Sequence, residues 1–166
     1  MSMNGEYLRV TPEELDRALK DPAWALELVE EIQDEQEKNE PAPAEARHFT
    51  TDKAWDLVGF LLRRAGFPVD LVRDGQPFAD DEDWGYGPPR YLTVEQVRLA
   101  AEALGGTGYD RLIDGVDPSE LAEAEIYPAI WDSPESLEWA RWVFPPLTEF
   151  VRAAAVDGDA MLLWIA

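Results

Sequence analysis

The sequence predicts a single α+β domain, with a small mixed sheet of short strands packed among several helices. Three observations carry this. A β-forming segment near the N-terminus, Glu6 to Val10, runs straight into a capped helix start. The same device recurs at Arg90 to Leu92. The chain then closes on Ala160-Met161-Leu162-Leu163-Trp164-Ile165-Ala166, seven apolar residues with no charged side chain, as expected of a strand buried on both faces. Its expected partner is the Glu6–Val10 or the Arg90–Leu92 strand. At 166 residues, 46% of them hydrophobic, the chain is long enough for one substantial core, and residues 1–166 are read as one domain.

After the first strand, Thr11-Pro12-Glu13-Glu14 places a capping threonine before a proline at the first helical position, with Glu14 completing a capping box. This helix ends near Lys20, and Asp21-Pro22 caps the next. There Trp24, Leu28, Val29 and Ile32 share one face, while Glu27, Glu30, Glu31, Asp34, Glu35 and Glu37 make a solvated acidic one. Asn39 to Arg47 is a linker by composition. Thr50 or Thr51 is expected to cap a third helix, from Asp52 to about Ala65, apolar nearly all round and so central. Gly66 and Pro68 end it.

The stretch from Pro68 to Asp83 is irregular, with a brief strand expected at Val69-Asp70-Leu71-Val72 and a turn at Asp74-Gly75. Asp80 to Asp83 are four consecutive acids. They lack the alternating spacing and pivotal glycine of a calcium loop, so a solvated loop is expected and no metal is assigned. Asp83 to Leu92 packs rigid aromatics, two glycines, two prolines and Arg90 into ten residues. Thr93 with Gln96 then caps a helix striped by Val97, Ala100, Ala101 and Leu104. Tyr109 to Ile113 makes a short turn, and Asp117-Pro118 starts another short helix. Beyond Tyr127-Pro128 and Trp131, Ser133-Pro134 opens the last helical region. Pro145-Pro146 must divide it into pieces near 134–143 and 146–156.

Function is bounded more by exclusion than by motif. The formal net charge of −21 argues against nucleic acid and against anionic membrane surfaces, both of which need clustered cations. It permits attraction to a basic protein partner, the alternative being a solvated acidic surface that keeps the protein soluble. With no cysteine, thiol catalysis, disulfides and cysteine-type zinc sites are excluded. No signal-like or membrane-length segment is present, so a cytoplasmic location is expected. The single histidine, His48, reads as an exposed loop residue. No phosphate loop or nucleophile elbow occurs, no catalytic residue is assigned, and no cofactor is expected.

One constellation stands out, Lys53, Trp55, Tyr86, Arg90, Tyr127, Trp131 and Asp132. A lysine and an arginine among aromatics suit a cleft for a small anionic or planar ligand, or for a partner, with Arg90 as fork and Tyr86 or Trp131 as stacking plates. The competing reading is internal, with Arg90 paired to Asp132 or Asp83 and the aromatics simply core.

Five stretches in order give the chain a family likeness: Tyr7 to Leu15, Asp52-Lys53-Ala54-Trp55, Gly85 to Leu92, Ile126 to Trp131, and Gly158 to Trp164. Together they resemble the YfbM-like family, a bacterial domain of unknown function numbered eighteen seventy-seven. The resemblance implies a single domain mixing helices with a small sheet, and no established activity. It also carries a loose association with immunity or interaction partners in bacterial toxin systems. Where members often have histidines in the helix beginning Asp52-Lys53, this chain has Asp56 and Gly59, so histidine chemistry is not expected there. The preferred reading is a non-enzymatic binding or protein-interaction module of unknown partner, a basic protein being one candidate. An enzyme or small-ligand binder using the aromatic cleft, and a purely structural subunit, are the alternatives.

Overall fold

The final strand organises the molecule. In the computed structural model, which describes residues 2–79, 82–131 and 133–166, β5 (Ala160–Ile165) lies at the centre of a five-stranded sheet in the order β2-β1-β5-β4-β3. β1 (Gly5–Val10) pairs with it from Gly5 opposite Ile165 to Val10 opposite Ala160. β4 (Arg90–Leu92) pairs on the other side, Arg90 opposite Leu163. Both expected partners are therefore used. Every pairing is antiparallel, so the mixed directions expected for the sheet do not occur among the described residues.

Because side chains alternate along a strand, β5 feeds two cores. Met161 and Leu163 join Tyr7 and Leu92 under α3 (Trp55–Arg64), α4 (Val94–Gly105) and α8 (Phe144–Val156). Leu162 and Trp164 join Leu8, Val10 and Trp84 on the opposite face, covered by α1 (Pro12–Lys20) and α2 (Pro22–Asn39). The helix starts follow their local signals. Thr11 and Thr93 each accept from the backbone three residues on, and the Glu14 and Gln96 side chains accept in return. On α2 the six acids lie at the exposed surface while Ala25, Val29 and Ile32 are buried.

Two expectations fail, each through side-chain hydrogen bonds to the backbone. The third helix starts at Trp55 without a side-chain cap, and residues His48–Asp52 form β2 instead. Thr50 and Thr51 are spent on the sheet, since both hydroxyls donate to the Gly5 carbonyl, at 3.3 and 3.2 Å. Val69 to Val72 does not form a strand. The Asp70 carboxylate accepts from the backbone of Val72 and Arg73 and closes a turn, while Val69 and Leu71 point into the core. The short strand β3 is Gln76–Pro77, paired to β4. Of the four acids Asp80 to Asp83, the first two lie outside the described residues.

Between Tyr109 and Val143 the chain makes α5 (Tyr109–Ile113), α6 (Pro118–Glu123), α7 (Pro134–Trp139) and a 3-10 turn (Ala140–Val143). Pro145 and Pro146 do divide the last helical region. The second piece begins at Phe144, because prolines fit the first turn of a helix, where no backbone donor is needed.

One ion pair is built into the sheet. Arg9 is buried, donates through Nε to Asp159 Oδ2 at 2.9 Å, and meets Asp157 through Nη2. Removing one side of a buried pair strands the other charge. Asp159→Ala is therefore expected to cost about 3 kcal/mol in urea denaturation. Asp157, whose side chain is 59% exposed, is expected to cost below about 1 kcal/mol when replaced by alanine.

Candidate functional site

Five of the seven residues singled out from sequence fall in two places that meet at the start of β1, Tyr86 and Arg90 in one and Trp55, Tyr127 and Trp131 in the other. Gly5 is the seam. A Cβ there would lie 2.5 Å from the Trp55 Cβ and 2.4 Å from Thr51 Oγ1, so the indole can rest directly on the strand only because the residue is glycine.

The first place is a pocket of about 210 Å³ over the row Tyr7–Leu163–Arg90, closed by Leu71, Tyr86 and Pro88. The loop that builds its wall is anchored by Trp84, buried edge-on against Trp164 at 5.3 Å and against Phe78 at 5.9 Å. Gly85 follows at φ +114°, where a Cβ would meet the Ile165 carbonyl at 2.5 Å. The next residue's N–H donates to that same carbonyl at 2.8 Å and leaves the Tyr86 ring 45% exposed. Arg90 is half-buried and donates from Nη1 to the Gly75 carbonyl at 3.2 Å. It has no carboxylate partner among the described residues. Asp83 instead accepts from the Gly85 N–H, and Asp132 lies outside the described residues.

The second place is an aromatic joint. Trp55 stacks on Tyr127 with ring centroids 5.7 Å apart. Trp55 Nε1 donates to the Met3 carbonyl, and the Tyr127 hydroxyl accepts from the Met3 N–H, both at 2.9 Å. Trp131 is buried and donates from Nε1 to the Tyr127 carbonyl at 3.0 Å. Its neighbours Leu121, Ile126 and Ala129 line a larger hollow of about 460 Å³. Lys53 is exposed and makes no hydrogen bond or ion pair among the described residues.

Three features of the structure were not assigned from the sequence. Asp56 is buried. Its Oδ2 accepts from the Tyr127 N–H at 2.9 Å, and Arg73 lies 3.7 Å from Oδ1. His48 is not an exposed loop residue. It sits on β2 with Nε2 at 2.7 Å from Glu6 Oε2 and 3.3 Å from the Gln33 amide, beside the Trp164 ring. Trp139 and Trp142 are each half exposed, with centroids 6.1 Å apart. Glu6 and His48 pair across neighbouring strands, a contact that only the register creates. No group of three or more histidine or acidic side chains among the described residues is arranged to hold a metal ion.

Two tyrosine hydroxyls are sealed in the structure. Tyr7 donates to the Leu71 carbonyl at 2.9 Å beneath the first pocket, and Tyr109 donates to the Leu137 carbonyl at 2.6 Å. Burial raises the Tyr7 pKa above the phenol range and pushes Tyr109 up to about 12.

The family model described as "Domain of unknown function (DUF1877)" matches residues 1–164. No curated protein matches the chain. Among solved structures, the chain is similar to that of "a Protein of Unknown Function YfbM from Escherichia coli". The TM-score is 0.63 with 19% identity, over 100% of each chain, a likeness in fold.

The raised tyrosine pKa values fix a sign. An unfolded tyrosine ionises near pH 10, so below that pH the stability linked to Tyr7 and Tyr109 is fully present. It is lost as pH climbs from about 10 through the folded-state values. Denaturation midpoints are expected to be flat across the neutral range with respect to these groups and to fall above about pH 10. Tyr109→Phe should flatten part of that fall.

Proposed function

The chain belongs to the DUF1877 family, a domain of unknown function, and from that starting point we propose that it is a non-enzymatic binding module for a basic protein partner. The observation that supports this is the outer face of α2. Glu27, Glu30, Glu31, Asp34, Glu35 and Glu37 stand exposed there, and none of them is in an ion pair among the described residues. In a chain of net charge −21, such a surface speeds encounter with a cationic protein and repels nucleic acid and anionic lipid. The scarcity of catalytic side chains agrees. There is one histidine, already engaged by Glu6, and there is no cysteine.

Affinity capture from the cells that make the protein tests this reading. Basic proteins should dominate the captured set at low salt and be lost by about 0.5 M, where the Debye length has shrunk to a few ångströms. A variant with Glu27, Glu30, Glu31 and Asp34 changed to their amides should capture less. A captured set indifferent to salt and to these changes would refute the proposal.

A second reading is supported by Arg90, a guanidinium at the wall of a pocket with no carboxylate facing it among the described residues. It makes the pocket a receptor for a small anionic or planar ligand, with Tyr86 as the stacking surface. Arg90→Ala should then abolish binding of that ligand in a small-anion screen while leaving the melting temperature within a few degrees. If the variant only lowers the melting temperature, Arg90 is a strut for the Gly75 turn.

A further inference from the structure

We propose that the partner docks, through an amphipathic segment with a cationic face and large aliphatic anchors, on the tryptophan patch formed by Trp131, Trp139 and Trp142. This rests on the basic-partner reading above and gives it a location other than α2.

Three independent observations converge there. The first is exposed apolar surface. Trp139 and Trp142 are each 49% exposed and Ile130 48%, a clustering that soluble surfaces usually avoid. The rings run as a chain, with Trp131 5.7 Å from Trp139 and Trp139 6.1 Å from Trp142. The second is a receptacle. Trp131 is also a wall of the hollow of about 460 Å³ bounded by Leu121 and Ile126, within the size range of occupied pockets. An exposed aromatic ridge leading into an apolar hollow is the arrangement in which a few anchors carry most of the binding energy.

The third observation is charge. Between Arg111 and Arg141 the sequence has eight acids and no lysine, arginine or histidine. Glu123, Glu125 and Glu135 are exposed and in no ion pair among the described residues, and Glu125 lines the hollow. Arg141, the cation closest to the ridge in sequence, is neutralised. It meets both oxygens of Glu138 at 2.8 Å and Asp110 at 2.6 Å. The patch is therefore apolar at its centre and acidic at its margin.

That complementarity selects the occupant. A second copy of this chain would bring the same acidic margin against itself, since a two-fold interface is self-complementary. An anionic membrane meets the same repulsion. A helix with leucine-like residues at i, i+3, i+4 and i+7 and lysine or arginine alongside satisfies both the ridge and the margin.

The test uses the full chain and a synthetic amphipathic helix of leucine and lysine. Its controls are a scrambled peptide of the same composition and a leucine–glutamate helix. Binding is read by titration calorimetry and by the shift in tryptophan emission. The leucine–lysine helix should bind, and the two controls should bind at least about tenfold more weakly. The double variant Trp139→Ser, Trp142→Ser should lose about tenfold or more. Because both rings are half exposed, it should keep its circular dichroism spectrum. Glu125→Lys with Glu135→Lys, which removes no buried side chain, should weaken the helix comparably. The α2 amide variant should change it less than about threefold.

Undiminished binding by the tryptophan variant, or equal binding of the scrambled peptide, overturns the proposal. So does a tryptophan-dependent dimer of the protein alone in sedimentation. Loss in the α2 variant with the tryptophan variant intact overturns this location and leaves the basic-partner reading standing. Failure of the helix together with salt-indifferent capture from lysate removes both.

Discussion

The constraint from which the rest follows is that β5 must be hidden on both faces and along both edges. A strand reading Ala-Met-Leu-Leu-Trp-Ile has no side that tolerates water. One edge is closed by β1 and the other by β4, so the two ends of the chain meet. Asn4 and Ala166 exchange both backbone hydrogen bonds, at 2.6 and 2.9 Å. Covering the faces requires two helix layers, and the chain provides them from successive segments. The N-terminal pair α1 and α2 takes one face, and α3, α4 and α8 take the other. The loop with Trp84 completes the N-terminal layer where those two helices run out. That is why an irregular segment can be as firmly placed as a strand. Its indole is fixed in the core, and Gly85 brings the backbone against the end of β5.

What could be read from sequence was what is decided locally. The capping boxes at Thr11 and Thr93 and the break at Pro145-Pro146 depend on residues within a few positions of one another. β2 does not. His48 to Asp52 becomes a strand because β1 lies unpaired beside it, and the two threonines that looked like caps are more useful as donors to Gly5. The candidate cleft failed as one object for a related reason. Composition identified seven unusual residues, but the strand register sends Arg90 to the first pocket while the packing of α3 stacks Trp55 on Tyr127. The tryptophan ridge did leave a signal. Trp139 and Trp142 are three apart, so they share a side of the turn, and the surrounding stretch has no cation until Arg141. Neither fact counts as a motif, and the significance of the spacing depends on which side faces water.

The heavy negative charge is tolerated because the fold spends acids and bases differently. Acids are placed where isolated negative charge is welcome. Asp21 and Asp117 cap helices, and Glu14 and Glu120 complete capping boxes, so part of the load stabilises helix starts. Others project from α2, whose outer face has only water to satisfy. Arginines are used as ties between elements. Arg9 joins β1 to the α8–β5 turn, Arg47 reaches back to Glu14, and Arg64 links α3 to Glu120 of α6. Arg73 reaches Asp56, and Arg141 joins Glu138 to Asp110.

The consequence is a division of labour in which most arginines are paired and the surplus negative charge is left unpaired at the surface. Among the described residues, seven of the eleven arginines stand in ion pairs, and an eighth, Arg17, lies over the Trp24 ring at 4.3 Å. A partner approaching the surface therefore meets a field that is negative almost everywhere, which speeds encounter without choosing a place to land. Place has to come from shape and apolar area, and these are concentrated where α6, α7 and the 3-10 turn leave three tryptophans in line. Long-range attraction from the whole surface and short-range selection by one ridge are separable in this architecture. On the proposed reading, the acids of α2 set how often a basic chain arrives, and Trp139 and Trp142 set how long it stays.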